Sequence, residues 1–506
     1  MGNSFESIVI DTDKLLAPVE GDNLHISRKN IYDGRLSELN PTVSIFVLGY
    51  NRLSKTKKCV ECVLKYTADI SFELILIDNG STDATYDYFQ SVEFKKKKII
   101  KITKNIGSIY ALQVAMSIFN GKYFVLIPND AYVTKNWLSN MLNCMESDPK
   151  IGFVTPVSSN ISNLQQVDLS FNGYDDMQDK AAIYNQSDPL KWEERLRLIN
   201  IVTVLRKEVI DNVGFFDAGF FHDFGEDDYS IRIRRTGYKL VLCRDTYVYH
   251  DHDFRNYEDK DMDKFNQSLT AGRKNYNDKY YGLDAWNDIN NYESNLINMF
   301  PYVKKESSIT SILGIDIKCG TPILEIRNRL RKFGILSTTS AAFTTQAKYY
   351  QDLLFVTDGN VKCDRIDFLN EHFLNESFDY IVLGDPINTY SQPISLMGKL
   401  LDLAAPGAKI LLKLRNTQDI RIFLRILGQD QIPDQDMPIH LSLEDFTECL
   451  KLMGIKNQSV LCQQQNVVKS NIESVMQIIE SMGLNVPVAE IVNKLFTTDF
   501  LFCIEK

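Results

Sequence analysis

The sequence predicts an α/β protein with two separate sheets, and three observations support that prediction. Runs of β-branched and apolar residues alternate with helical stretches from residue 43 to residue 129, and again from residue 308 onward. Several apolar runs end directly at acidic or amide residues, which is typical of buried strands that open into a site. The length of 506 residues exceeds what one hydrophobic core supports, so two or more domains are expected.

The first alternation has short turns between its elements, which is typical of a parallel, doubly wound sheet. The predicted strands are residues 43–50, 73–80, 97–103 and 122–129, and the predicted helices are residues 55–67, 84–91 and 109–119. Residues 1–40 are predicted to be an N-terminal extension. The polar stretch 155–200 is expected to be a long loop region of the kind that often covers a site.

The second alternation predicts another α/β domain. Its strands are expected at SILGIDIK, FDYIVLGD, KILLKLRN and DFLFCIEK, with helices at ILEIRNRLRKF, SLMGKLLDLAA and LEDFTECLKLMG. The segment QQQNVVKSNIESVMQIIESMG predicts an amphipathic helix, which could serve a partner or homodimer contact or simply pack on the core. The expected domains are residues 41–300 and 301–506.

Composition excludes several classes of function. The net charge of −10 argues against general nucleic-acid binding, which needs a basic face. No apolar stretch reaches the roughly 18–20 residues that a membrane span requires. Nine scattered cysteines and an N-terminus without a secretory signal pattern indicate a cytoplasmic protein.

Three polar segments are expected to converge on one cleft. Asp78 ends the second predicted strand, and Asp130 follows the fourth. Glu226 and Asp227 open a later helix. A final strand is predicted to end in His250 and His252. Carboxyl ends of parallel strands are where ligands bind in such sheets. The alternative for the DNGSTD segment is a plain turn with a helix cap, and for the acids it is a favourable helix dipole.

Residues 41–252 resemble the family 2 glycosyltransferases, which have the GT-A fold, a Rossmann-like nucleotide-sugar-binding architecture. The matching segments, in chain order, are FVLGYNR, LILIDNGSTD, KNIGSIYALQVAM, VLIPNDAYVTKNWL, VLRKEVIDNVGFFDAGFFHDFGEDDYSIRIRRTGYKL and VYH. The resemblance implies transfer of a sugar from a nucleotide-sugar donor, with Asp78 accepting the imide N–H of uracil or thymine. The implied donor-binding residues are Tyr50, Asn51, Asp78, Asn79, Asn105, Gly107, Asn129 and Asp130.

The resemblance also implies a metal site. Asp130 matches the last acid of the family's D-x-D motif, but Pro128 and Asn129 replace its first two positions. His250 is the expected second ligand, and His252 is a weaker candidate. Mn²⁺ or Mg²⁺ would neutralise the charge that develops on the diphosphate leaving group. The alternative for His250 is a hydrogen-bonded surface histidine.

The pair Glu226–Asp227 matches the family's acidic pair before a basic helix. Asp227 is implied to be the general base that deprotonates the acceptor, and Glu226 would orient it or hold the acceptor. Arg232, Arg234 and Arg235 could include a partner for these acids. A single base opposite the leaving group implies direct displacement with inversion.

Residues 310–506 resemble class I S-adenosylmethionine (SAM) methyltransferases in IDIKCGT, in residues 378–416 and in LSLEDFTECLKLMGI. The cofactor motifs are damaged. Lys318 and Pro322 stand where the family has glycine, and GILSTTSAAF lacks the acid that holds the ribose. SAM binding and methylation are therefore not expected.

The sequence thus predicts an inverting, metal-assisted glycosyltransferase that uses a UDP-sugar, with UDP-N-acetylglucosamine as the first candidate donor. The acceptor is a Ser or Thr hydroxyl of a protein such as flagellin, or a surface or lipid-linked glycan. Two alternatives stay open: a bifunctional glycosyl- and methyltransferase, and a sugar-nucleotide-binding scaffold without catalysis. A nucleotidyltransferase would share the sheet and the metal site but would not need the late acidic helix or the histidine strand.

Overall fold

The computed structural model divides the chain into two compact units, residues 1–290 and 291–506. The sequence predicts the boundary between the two domains at residue 300. The residues that the structure describes are 6–11, 42–217, 220, 223–252, 259–300, 309–421, 438–464, 473, 476–477, 479–481 and 487–506. Within them, no helix has the length and apolar character needed to cross a membrane.

The first unit contains a ten-stranded sheet in the order β1-β4-β3-β2-β5-β9-β7-β10-β6, with β8 paired to β10. Its strands are β1 (Glu6–Ile10), β2 (Val43–Gly49), β3 (Phe72–Asn79), β4 (Lys97–Ile102), β5 (Tyr123–Pro128), β6 (Ala131–Tyr132), β7 (Ile151–Ser158), β8 (Trp192–Arg195), β9 (Thr203–Arg206) and β10 (Lys239–His250). The half from β1 to β5 is parallel, as predicted. The other half is mixed, because β9 runs antiparallel to β5 and β7.

Eight helices of the first unit lie in its described part. They are α1 (Leu53–Tyr66), α2 (Thr85–Ser91), α3 (Ser108–Met116), α4 (Trp137–Ser147), α5 (Gly173–Tyr184), α6 (Lys207–Val213), α7 (Gly225–Arg235) and α8 (Asp259–Lys279). The alternation predicted for residues 43–129 is confirmed, with element ends that differ by at most three residues.

Both faces of the central sheet are covered. Ile45 and Val47 of β2 pack in one core cluster with side chains of α1 and α4, whereas Phe46 lies in a second cluster with side chains of α3, α6 and α7. Strands buried on both faces consist of nearly continuous apolar residues. This explains why the β2 and β3 sequences lack polar alternation and why polar residues begin where these strands end.

Two segments differ from the sequence expectations. Within the predicted N-terminal extension, β1 adds a strand to the sheet edge, parallel to β4. The stretch 155–200 contains α5 and β8 and is not only a loop. Asn185 shows why its polar composition misled: the side-chain amide donates to Thr134 Oγ1 (2.9 Å) and accepts from the Tyr247 N–H (2.7 Å). Polar side chains here stabilise buried structure.

The second unit contains a seven-stranded sheet in the order β13-β12-β11-β14-β15-β17-β16. Its strands are β11 (Thr310–Ile315), β12 (Thr338–Thr344), β13 (Val361–Cys363), β14 (Phe378–Leu383), β15 (Ala404–Arg415), β16 (Asn457–Gln464) and β17 (Thr497–Glu505). The α-helices in its described part are α9 (Ser294–Ile297), α10 (Thr321–Lys332), α11 (Tyr350–Val356), α12 (Leu369–His372), α13 (Pro393–Leu403), α14 (Leu443–Leu452) and α15 (Val488–Phe496).

This second sheet is doubly wound, because the chain proceeds from β11 to β12 and β13 on one side and resumes at β14 on the other. β17 runs antiparallel to both β15 and β16. All strands and helices predicted here, apart from the amphipathic segment, are present. β12 overlaps the GILSTTSAAF segment, whereas the sequence does not predict β13, β16 or the short helices α9, α11, α12 and α15. Most of the predicted amphipathic segment (463–483) lies outside the described residues.

Candidate functional site

The predicted donor residues lie where β2, β3 and β5 end side by side. Gly49 pairs with Asp78, and Leu48 pairs with Pro128. The residues that follow these strands therefore share one edge of the sheet. The sequence expectation that these strand ends meet is confirmed by the register.

Asn51 links the turns after these strands. Its N–H donates to Ser81 Oγ (2.9 Å), and its Oδ1 accepts from the Thr82 N–H (2.8 Å). The Asn129 side chain donates to the Asn51 carbonyl oxygen (3.0 Å). Asn51 has a φ of 53°, a left-handed conformation that asparagine tolerates better than most residues. Beside it, Tyr50 is 44% exposed and forms part of the surface of this edge.

A second network joins the turn after β3 to the loop before α3. Asn79 donates to Asn105 Oδ1 (3.1 Å) and to the Gly107 carbonyl oxygen (3.3 Å). Asp78 is buried and accepts from the Ser81 N–H (3.0 Å). Burial raises the pKa of Asp78, and the bonds from Ser81 oppose that rise in part. The structure therefore brings all these predicted donor residues together.

Gly80 is required by the close approach of these two loops. Its φ is +76°, and a Cβ at this position would lie 2.4 Å from the Asn105 nitrogen. We expect Gly80→Ala to destabilise the protein by more than the about 1–2 kcal/mol of a left-handed alanine, since the backbone of residues 104–105 must also move. Gly173→Ala is the matched control, with a φ of +84° and no atom within 4 Å of the added Cβ. Urea denaturation should show the larger loss for Gly80→Ala, and equal losses would contradict this account.

Three side chains form a candidate metal centre. Ligand atoms of Asp130, His250 and His252 all lie within 4.8 Å of one another. His250 Nε2 is 3.8 Å from Asp130 Oδ1, and His252 Nδ1 is 3.8 Å from Asp130 Oδ2. Two donors on opposite sides of one metal ion are about 4.4 Å apart at bond lengths of about 2.2 Å, and both 3.8 Å separations are shorter, so each histidine can share a divalent cation with Asp130.

The surroundings of His250 prepare it as a ligand. Its Nδ1 is 3.1 Å from the Asn160 carbonyl oxygen, which can only accept, so Nδ1 carries the proton. Nε2 is then the lone-pair nitrogen, and it faces Asp130. Burial lowers the pKa of His250 and outweighs the opposing effect of the Asp130 carboxylate. The neutral imidazole is the form that binds metals.

Asp130 is held as a carboxylate. Burial alone would raise its pKa, but the bond to His252 and the charges of His250 and Arg52 outweigh it and lower the pKa. Arg52 Nη1 lies 3.4 Å from Asp130 Oδ2 with its side chain half exposed. The ion pair of Lys55 with Asp251 (3.4 Å) lies beside it, since the Asp251 N–H donates to the Asp130 carbonyl oxygen (2.8 Å). Arginine is well suited to bind phosphate oxygens, so Arg52 could contact a diphosphate here.

The predicted acid pair lies at the start of α7, which packs against α3. A Cβ on Gly225 would lie 2.6 Å from Ile109 Cδ1, so the two helix starts are in close contact. α3 begins directly after Gly107. The start of α7, with Glu226 and Asp227, therefore lies beside the loop that contains Asn105 and Gly107, here called the donor loop. The structure thus brings the acid pair to the same end of the sheet as Asn105.

The ion-pair partner of Asp227 differs from the sequence expectation, which named Arg232, Arg234 and Arg235 as candidates. Asp227 pairs instead with Arg197, whose Nε contacts Oδ1 and whose Nη2 is 3.3 Å from Oδ2. Arg232 bonds Asp228 (2.9 Å), because residues four apart share one helix face. Arg234 donates to the Leu196 carbonyl oxygen.

The sequence pattern does not mark Arg197 or Asn160 as site residues, and it marks His252 only as a weaker candidate ligand. Arg197 lies in a segment without a motif, 30 residues from Asp227, so nothing in the sequence pattern marks the pair. His252 did leave a signal, because residues two apart in an extended chain lie on one face. The stacked rings of His250 and His252, with centroids 5.1 Å apart, follow from that spacing.

In the second unit, the strand order reverses between β11 and β14, which is where doubly wound sheets bind their ligands. Side chains of this unit fill that position. Asp316, directly after β11, accepts from the Thr345 N–H (2.7 Å) and from Tyr390 Oη (2.8 Å). A Cβ on Gly384 would lie 2.2 Å from the Asp316 carbonyl oxygen, so the turn packs directly on the end of β14. Burial, together with Asp316, raises the pKa of Asp385 to about 6.

An adenosyl cofactor does not fit these residues. Lys318 stands in the turn with a φ of 55°, where a glycine would let a cofactor approach the backbone. β12 ends at Thr344 without an acid for the ribose hydroxyls.

One part of the first unit matches a known protein family. Residues 44–214, about a third of the chain, match the model of glycosyl transferase family 2. This match agrees with the resemblance that the sequence motifs carry. Asp78 and Asp130 lie inside the matched residues, whereas Asp227 and His250 lie beyond them.

Two relatives illustrate the match. An uncharacterized glycosyltransferase of Haemophilus influenzae is 28% identical over 113 residues, which cover 22% of this chain and 35% of the relative. The Escherichia coli UDP-Glc:alpha-D-GlcNAc-diphosphoundecaprenol beta-1,3-glucosyltransferase WfaP is 32% identical over 108 residues, covering 21% of this chain and 42% of WfaP. The chain thus spans less than half the length of either relative.

Two solved structures show a weak overall likeness. The mannosyltransferase PcManGT from Pyrobaculum calidifontis, in complex with GDP-Man and Mn²⁺, is 16% identical with a TM-score of 0.37, covering 54% of this chain and 79% of that one. S. aureus TarS in complex with UDP-GlcNAc is 17% identical with a TM-score of 0.32, covering 43% and 60%. Likenesses at this level carry no argument about the site.

Proposed function

We propose that the first unit is an inverting glycosyltransferase that moves a sugar from a UDP-sugar to an acceptor hydroxyl. The observation that carries this proposal is the cluster of Asp130, His250 and His252 at the sheet edge where Asp78 also lies. A family 2 domain supplies the class of chemistry. The cluster gives a place for the diphosphate, and Asp78 gives a place for the base.

The donor half of the site favours a uridine nucleotide. Asp78 is the second-to-last residue of β3, where its carboxylate could accept the imide N–H of uracil, and Tyr50 and Asn51 would border the base and ribose. The E. coli relative is named for UDP-Glc, which agrees with a UDP donor. UDP-N-acetylglucosamine remains the first candidate sugar, followed by UDP-glucose.

Asp130, His250 and His252 would hold the cation. Two nitrogen donors disfavour Mg²⁺, which prefers all-oxygen ligands, so Mn²⁺ is the first candidate. Bound there, Mn²⁺ would offset the negative charge on the leaving diphosphate. Asn160 keeps the lone pair of His250 directed at this position, and Arg52 adds a positive charge at its rim.

Asp227 would take the proton of the acceptor hydroxyl as its oxygen attacks the anomeric carbon, and Glu226 would orient the acceptor. One base on the face opposite the leaving group gives inversion. The named acceptor of WfaP is a diphosphoundecaprenol-linked sugar, which favours a lipid-linked glycan over a protein hydroxyl such as that of flagellin. Both acceptor classes belong in the test.

The donor test is hydrolysis of UDP-, GDP- and dTDP-sugars with Mn²⁺, with Mg²⁺ or with EDTA. We expect turnover of one UDP-sugar that is highest with Mn²⁺ and absent with EDTA. The preferred sugar then allows lipid-linked and protein acceptors to be compared. Absence of nucleotide binding would reject the enzyme proposal and favour a scaffold. Preference for GDP-sugars would reject the role of Asp78.

We further propose that the second unit is methyltransferase-like and has no methylation activity. Its doubly wound sheet supports the likeness, and the closed turn at Asp316 supports the loss of activity. Calorimetry should detect no SAM binding to the whole protein, with Mn²⁺-dependent UDP binding in the same sample as the positive control. SAM binding in the micromolar range would revive the bifunctional alternative.

A further inference from the structure

The Asp227 carboxylate is deeply buried beside one cation. Only 2% of its side chain is exposed, and the Arg197 side chain that contacts both of its oxygens is 11% exposed. A carboxylate at this depth becomes protonated unless a positive charge compensates it. The neighbouring acid Asp228 has other partners, since it bonds Arg232 and accepts from Lys279 and Tyr280. Arg197 is therefore the cation that serves Asp227.

The backbone around Arg197 is held in place by hydrogen bonds from a neighbouring loop. Its carbonyl oxygen accepts from Asn163 Nδ2 (3.0 Å). Two residues on, Ile199 donates its N–H to Gln165 Oε1 (2.7 Å) and accepts from Gln165 Nε2 (3.1 Å). Three hydrogen bonds from one loop thus hold the segment that carries the guanidinium.

The same loop holds a candidate metal ligand. Asn160 donates to the His250 carbonyl oxygen (2.8 Å), and its own carbonyl faces His250 Nδ1 (3.1 Å). Asn160 and Asn163 are three residues apart, so the chain between them spans at most about 11 Å. One short loop therefore sets the positions of both Arg197 and His250.

We propose that Arg197 is a positioning residue that orients the Asp227 carboxylate for proton transfer, and that the loop 160–165 fixes its position relative to the metal centre. This inference rests on the proposed function. A guanidinium that bonds both carboxylate oxygens occupies one lone pair on each of them. Each oxygen keeps a second lone pair, which can accept a hydrogen bond from the hydroxyl group of the acceptor substrate. Arg197 thus acts through Asp227 without contact to the reacting atoms.

The test compares Arg197→Met, Arg197→Lys and Asp227→Asn in the whole protein. It measures hydrolysis of the preferred UDP-sugar with Mn²⁺, and UDP binding by calorimetry. We expect unchanged UDP affinity in all three and a fall in kcat of about 10²-fold or more in Arg197→Met. Arg197→Lys should recover part of the rate, because the charge remains while the bidentate geometry is lost.

A further readout separates positioning from a merely structural role. The double variant Arg197→Met/Asp227→Asn should be no slower than Asp227→Asn alone. Arg232→Met, which removes a guanidinium from the next acid on α7, should keep the wild-type kcat.

Each other outcome has a definite meaning. A wild-type rate in Arg197→Met, additive losses in the double variant, or reduced UDP affinity would overturn the inference, the last by placing Arg197 on the donor. Wild-type protein that binds UDP yet hydrolyses no UDP-sugar would also contradict it while leaving the donor site standing. Wild-type protein that binds no nucleotide would reject the proposed function itself.

Discussion

Asp227→Asn is expected to slow UDP-sugar hydrolysis and sugar transfer by about 10²–10⁴-fold, with UDP affinity unchanged. The amide keeps the size of the side chain but cannot take a proton, so only the step that needs the base is affected. Its place at the start of α7, beside the donor loop, and its pairing with Arg197 single it out from the other acids of this helix. Initial rates at saturating Mn²⁺ measure the effect.

The matched control for Asp227→Asn is Asp175→Asn. Asp175 also lies in the first turn of a helix, α5, and is exposed. It therefore reports what loss of a helix-dipole interaction does by itself, which is worth at most about 1 kcal/mol of stability. A rate for Asp227→Asn similar to that of Asp175→Asn would show that the acids of α7 only stabilise its helix.

Replacement of the metal-centre residues is expected to have the second large effect. Asp130→Asn and His250→Gln should each weaken Mn²⁺-dependent UDP binding by at least about 10–100-fold, since loss of residues that merely support a metal ligand already costs that much. His252→Gln should have a similar effect if its Nδ1 binds the same ion. Calorimetric titration of UDP at fixed Mn²⁺ measures each variant.

His372→Gln provides the control for these variants. His372 also pairs with an aspartate, Asp364 (2.8 Å), but lies in the second unit. It should leave UDP binding at the wild-type value. Wild-type affinity in Asp130→Asn would contradict the metal centre, whereas loss of affinity that EDTA does not reproduce in the wild type would assign Asp130 to direct donor contact.

The parts of the fold that the sequence predicts are those set by local burial. β2, β3 and β5 are buried on both faces, so their apolar runs are continuous and their ends are marked by the first polar residue. The same feature, a polar residue where a buried strand ends, identified Asp78 and Asp130 as candidate site residues. β16 was missed because it is a largely exposed edge strand, NQSVLCQQ, whose composition resembles a loop.

The unpredicted parts of the site depend on contacts between distant segments. The pairing of Arg197 with Asp227 spans 30 residues, and that of Asn160 with His250 spans 90. Neither arginine nor asparagine in a polar segment carries a periodic signal that would reveal its partner. The closure of Asp316 by Tyr390, 74 residues away, is equally invisible in sequence. Only the assembled sheet brings these pairs together.

The central claim is that the first unit binds the diphosphate of a uridine nucleotide through a divalent cation held by Asp130, His250 and His252. The most direct measurement is calorimetric titration of the wild-type protein with UDP in Mn²⁺ and again in EDTA, with GDP in parallel. The account predicts UDP binding that EDTA abolishes and that GDP does not match. Equal UDP binding in Mn²⁺ and in EDTA, or no binding at all, would contradict it.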